Sequence, residues 1–83
     1  MARGEGSFER ELISEQIQIE RKIFSFSLRE NPRGRFLRIT EDVGGRRDTI
    51  IIPSTGLHQV VEVLNRVVSA DEEAGPPMVA PEI

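Results

Sequence analysis

In the stretch KIFSFSLR, Phe24, Phe26 and Leu28 alternate strictly with Ser25, Ser27 and Arg29. A period of two commits such a segment to a β-strand with one apolar and one polar face, because successive side chains leave a strand on opposite sides. Two turn signals then fix its partners. Asn31-Pro32-Arg33-Gly34 places Pro second and Gly fourth, as a type I turn prefers, and Gly44-Gly45 tolerates the positive φ of a two-residue hairpin loop. With Pro32 and Arg33 central, Arg29 faces Phe36 and Leu28 faces Leu37. With Gly44-Gly45 in the second loop, Ile39 faces Ile50 and Leu37 faces Ile52. Both turns independently place Phe24, Phe26, Leu28, Leu37, Ile39, Ile50 and Ile52 on one side. A slip of one residue would send that whole set into water.

The flanking segments complete an α+β unit. ISEQIQIE alternates from Gln16 onward, with Ile17 and Ile19 on one face, and supplies a strand before KIFSFSLR. The intervening Glu20-Arg21-Lys22 contains no turn-forming residue, so its loop geometry stays open. DTIIIP gives a fourth strand ended by Pro53. Beyond it, Leu57, Val60, Val61, Leu64, Val67 and Val68 recur at helical spacing, with Ser54 or Thr55 as the expected N-cap. The expected order is ββββα, without internal repeats. Its many valines make the helix weak in isolation, so it needs a surface to pack on. Residues 1–10 and the acidic, Pro-rich stretch 71–83 lack periodicity and are expected to be flexible. The remaining domain, residues 11–70, is small enough that its own core is marginal, which points to an oligomer.

Composition narrows the class. Without cysteine there are neither disulfides nor thiolate metal sites. No apolar run approaches the ~20 residues of a membrane span, so a soluble, intracellular, cytoplasmic protein is expected, associated with the nucleoid in a bacterium. The net charge is −3, but residues 20–48 carry eight Arg and Lys against five Asp and Glu, between acidic ends. Local potential, not the total, steers a polyanion.

The register also assigns the opposite side of the sheet. Phe36 falls there with Arg29, Arg38, Thr40, Ser25, Ser27, Arg47 and Thr49; Arg33 and Arg35 approach from the adjoining turn, Arg21 and Lys22 from the other end. A ring among cations suits an unpaired strand, whose phosphates meet arginine and whose bases stack. The same pattern also fits a cross-strand cation–π pair or a dimerisation surface. Catalysis is not expected. His58, the sole histidine, sits near the start of the helix without a nucleophile at helical spacing; Glu72 and Glu73 form a solvated pair, and GEG and VGGRR lack the Lys-Ser/Thr of a phosphate loop. We expect no metal, no cofactor and no small-molecule substrate.

IERKIFSFSLRENPRGRFLRITE followed by GRRDTIIIPSTG resembles a repeat of the PUR family, the purine-rich-element-binding proteins related to Pur-alpha, and is especially close to its plant members. The resemblance covers about residues 11–68. It implies a ββββα repeat that pairs with a second repeat by exchanging helices. With one repeat in the chain, as in short bacterial members, the pair would be a homodimer. It further implies binding of single-stranded DNA or RNA, purine-rich by preference, and a role in transcription regulation. On the matching positions, Arg21, Lys22, Arg29, Arg33, Arg35 and Arg38 would contact phosphate, Asn31 a base edge, and Phe36 would stack. Glu20 and Glu30 depart from the family pattern and bear on affinity and base preference rather than on fold. A protein-interaction module on the same scaffold, without a nucleic-acid ligand, is the alternative.

Overall fold

The computed structural model describes residues 8–77. Four antiparallel strands, β1 (Arg10–Ile19), β2 (Lys22–Asn31), β3 (Gly34–Val43) and β4 (Arg46–Pro53), form one sheet in sequential order. A 3-10 turn, Ser54–Gly56, leads into helix α1 (Leu57–Ala74). The expected ββββα order is observed, and so is the register: Arg29 pairs with Phe36, Leu28 with Leu37, Leu37 with Ile52 and Ile39 with Ile50. Phe24, Phe26, Leu28, Leu37, Ile39, Ile50 and Ile52 therefore share one face, joined from β1 by Ile13 and Ile17 opposite Leu28 and Phe24.

The hairpin left open by the sequence closes in two residues. Ile19 pairs with Lys22, and Glu20 adopts φ 55 between them. A left-handed conformation is costly for a residue with a Cβ, and here it substitutes for the glycine that makes the other tight hairpin loop, where Gly44 and Gly45 have φ 61 and 89.

β1 is irregular at its start. Its register shifts between Glu11 and Ile13, so Leu12 is an extra residue with no counterpart on β2. Such a bulge reverses the in–out alternation of everything before it. Glu11, not Leu12, consequently lies opposite Arg29, and Arg10 lies opposite Glu30.

Two details of α1 differ from expectation. Ser54 and Thr55 belong to the 3-10 turn and do not cap; Gly56 is the N-cap, without a side-chain hydrogen bond. The helix also continues through Asp71–Ala74, into the stretch expected to be a loose tail, since Ala and Glu favour helix and the first breaker is Gly75. Gly75, at φ 77, donates its N–H to the carbonyl of Glu72 at 3.2 Å, and two prolines follow. The expected flexibility of residues 1–7 and 78–83 lies outside the described residues.

No described residue is buried. The helix does not fold back across the sheet: the 3-10 turn meets β3, and Ile52, Gly56, Gln59, Val60, Val63 and Leu64 line an open apolar cavity of about 390 Å³. Leu64 stays 53% exposed and Ile50 57%. The Cα radius of gyration is 16.6 Å, against about 12 Å for a compact chain of this length. The longest dimension, 58 Å, matches a strand and an 18-residue helix laid nearly end to end.

Replacing Glu20 by Asn, which tolerates the left-handed region better, should stabilise the fold by about 0.5–1 kcal/mol. Thermal unfolding of Glu20→Asn beside the wild type measures it, and an unchanged or lowered Tm would show that Glu20 carries no strain.

Candidate nucleic-acid interface

The side of the sheet away from Phe26 and Ile39 is built by three cross-strand rows. Arg29, Phe36 and Pro53 form one, Ser27, Arg38 and Ile51 the next, and Ser25, Thr40 and Thr49 the third. The hydroxyls of Thr40 and Thr49 are hydrogen-bonded at 3.1 Å. Asp42 and Arg47 close the far end, with Arg47 Nε donating to Asp42 at 3.1 Å. Apart from Ile23, which pairs with Asp42, the surface is polar except for one patch. Phe36, half-buried, lies beside Pro53 and diagonally from Ile51, which is 53% exposed.

Phe36 borders a shallow depression of about 200 Å³ with Asn31, Arg33, Arg35, Ile51 and Pro53. Asn31 is held by the turn it begins: its Oδ1 accepts the N–H of Arg33 at 2.9 Å. That bond satisfies the acceptor and leaves the amide nitrogen as its donor toward a ligand. Arg33, on the turn, is exposed and makes no ion pair among the described residues; the same holds for Arg21 on the β1–β2 loop.

Strand parity divides the remaining expected residues. Arg29 and Arg38 lie on the Phe36 face. Lys22 and Arg35 do not: each is two residues from an inward side chain, Phe24 or Leu37, and shares its side. Lys22 pairs there with Glu41 at 2.5 Å. Arg35 Nη2 donates to Glu30 at 2.9 Å, and Arg10 Nη2 reaches the same carboxylate at 2.8 Å. The two arginines, Arg10 foremost, hold the Glu30 carboxyl below its ordinary value of 4.5 by hydrogen bonding to its charged form. The apolar face is thus bordered by an ionic cluster at either end, and Lys22 and Arg35 serve those borders.

Sequence reasoning missed two sets of residues. Ile51 and Pro53 flank Phe36 because β4 alternates through Ile50, Ile51 and Ile52, which an uninterrupted apolar run conceals. Glu9 and Glu11 reach the cationic rows only because of the bulge at Leu12. The apolar doublet Leu12-Ile13, breaking the alternation of β1, was its signal. Among the described residues no group of three or more His, Cys, Asp or Glu is arranged to hold a metal ion, and no helix is long and apolar enough to cross a membrane.

Comparison with known proteins places these features. Residues 2–75 match the family described as PurA ssDNA and RNA-binding protein. Over 62 residues, 75% of this chain, the sequence is 45% identical to Transcription factor Pur-alpha 1 of Arabidopsis thaliana; the match spans 21% of that relative's length.

Because the folded-state pKa of Glu30 is depressed, the stability it contributes is present above the ordinary carboxylate value and is lost as pH falls through the lowered one. Melting temperature should therefore fall less steeply between about pH 5 and pH 3 in Glu30→Gln than in the wild type. Parallel slopes for the two proteins would mean that the Arg10–Glu30–Arg35 cluster contributes nothing.

Proposed function

The chain belongs to the PurA family of single-stranded DNA- and RNA-binding proteins, and we propose that it binds an unpaired strand across the Phe36 face of its sheet as a homodimer with exchanged helices. The observation that carries this reading is the lone aromatic ring on a sheet face that also carries Arg29, Arg38, Ser25, Ser27, Thr40 and Thr49. Arg29, Arg33 and Arg38, with Arg21 at the far end, engage phosphates. Phe36, backed by Pro53 and Ile51, offers one base a stacking surface worth about 1–3 kcal/mol. The Asn31 amide donates to an acceptor on a base edge. Purines suit both contacts, since their two fused rings present a larger stacking face and N7 an additional acceptor. Lys22 and Arg35, turned to the other side, contribute to the local potential more than to direct contact. The depression beside Phe36 is open, as a strand running past it requires.

What the monomer leaves in water supports the dimer. Leu64, Val67, Val68 and Val61 form a helical stripe with more than half of each residue exposed, and Phe26, Ile39 and Ile50 share a sheet face that the helix does not cross. Two copies exchanging helices satisfy both.

With four phosphates neutralised, affinity for a purine-rich single strand should fall roughly 50-fold between about 50 and 200 mM salt. Phe36→Ala should weaken binding about tenfold with little change in melting temperature. Fluorescence anisotropy measures both; a salt-insensitive titration, or Phe36→Ala binding like the wild type, defeats the proposal. Sedimentation equilibrium should give twice 9.3 kDa. Leu64→Asp should lose the dimer and cooperative unfolding together; a folded, monomeric Leu64→Asp would refute helix exchange.

A further inference from the structure

Two carboxylates contact the arginines to which the nucleic-acid reading assigns phosphate. Glu9 contacts Arg29 Nε and lies 3.6 Å from Arg38 Nη2. Glu11 lies 3.3 Å from Arg29 Nη1 and also accepts the Ser27 hydroxyl at 2.6 Å. Ser27 in turn accepts from Arg29 Nη1 at 3.2 Å. The two cations at the centre of the proposed interface are thus matched by two anions, and the group of four carries no net charge. Arg29 keeps only 23% of its side chain exposed, although its strand face is open.

This arrangement depends on the bulge. Continued alternation along β1 from Ser14 would carry Leu12 and Arg10 onto the Phe36 face and turn Glu11 toward Leu28. The extra residue at Leu12 reverses that, delivering Glu11 and Glu9 to the arginines and sending Arg10 to Glu30. Bulges re-aim side chains in this way next to functional surfaces.

We infer that Glu9 and Glu11 are an intramolecular competitor of phosphate at Arg29 and Arg38, setting how tightly this face holds a strand and what it accepts. The inference rests on the nucleic-acid reading given above. A bare polyanion exchanges one anion for another at these two positions and gains little. A strand that also stacks a base on Phe36 and meets the Asn31 amide gains where the carboxylates do not compete. Glu9 and Glu11 therefore diminish the contribution of charge and leave the contribution of the base, so they act as specificity determinants without touching a base.

The test is a double-mutant cycle on the full chain, titrated with a labelled purine-rich single-stranded DNA of about 12 nucleotides. The proteins are the wild type, Glu9→Gln/Glu11→Gln, Arg29→Gln and the combined variant. Exposed ion pairs are individually weak, so removing both carboxylates should tighten binding by about tenfold at about 50 mM salt. In the Arg29→Gln background the same two changes should gain about twofold at most, because their principal partner is gone. A full gain in that background would show that only net charge matters and overturn the inference. So would unaltered affinity in Glu9→Gln/Glu11→Gln while the wild type binds in a Phe36-dependent way, an outcome that leaves the nucleic-acid reading intact. Absence of binding by all four proteins would defeat that reading and this inference with it. Melting curves verify folding. Should the double variant unfold, Glu9→Gln alone, which retains the Glu11–Ser27 bond, should still tighten binding about threefold, and no change would overturn the inference.

Discussion

An antiparallel sheet that sorts its side chains by parity must find something to cover the apolar side. Here that requirement is acute. The paired residues Phe26 and Ile39, with Ile50 beyond them, stand on a surface that the chain's own helix does not reach. Burial is the dominant favourable term in folding, and the isolated chain has almost none of it. The helix has the same problem with the opposite sign: beyond Val60 and Leu64, which border a cavity with Ile52, its apolar stripe has no sheet beneath it. It also lacks an acidic residue in its first turn and a basic one in its last, so neither end has the charge that would complement the backbone dipole.

Because one side of the sheet is given over to that covering, chemistry is confined to the other. The division is enforced residue by residue. Along β3, Phe36 and Arg38 look one way, Leu37 and Ile39 the other. Along β4, Ile51 supports the ring while Ile50 and Ile52 face the interior of the proposed dimer. Charged residues on the apolar side sit at its ends, where Lys22–Glu41 and Arg10–Glu30–Arg35 fence the surface and remain in contact with water, and on the edge strand β1, where Glu15 lies opposite Phe26. Cations of one local cluster in the sequence therefore divide between the two faces of the sheet.

Much of this was legible beforehand because it depends on local rules. Alternation in KIFSFSLR and the two Gly-containing turns determine which residues face each other, and the helical stripe needs no knowledge of its partner. The sides taken by Lys22 and Arg35 were implied by Phe24 and Leu37 two residues away, but proximity to a turn made them look available to either face. The β1–β2 loop was illegible because Glu20 holds a conformation that its residue type disfavours. The bulge at Leu12 was hardest. It carries no glycine, and its effect, exchanging the positions of Arg10 and Glu11, shows only when strand pairing is known. The caps of the helix misled for a related reason: Ser54 and Thr55 have the right chemistry but fall two residues and one residue before the N-cap Gly56, in the 3-10 segment.

The irregularity at Leu12 has another effect, on assembly. β1 is an outermost strand, ten residues long, with a free row of peptide groups that could recruit a strand from any passing chain. A regular strand bearing Ile13, Ile17 and Ile19 would be a good template for such growth. One unpaired residue interrupts the spacing of those groups and increases the local twist, so an incoming strand cannot stay in step along its whole length. The misfit that points two carboxylates at the arginines thereby also helps stop the sheet at four strands.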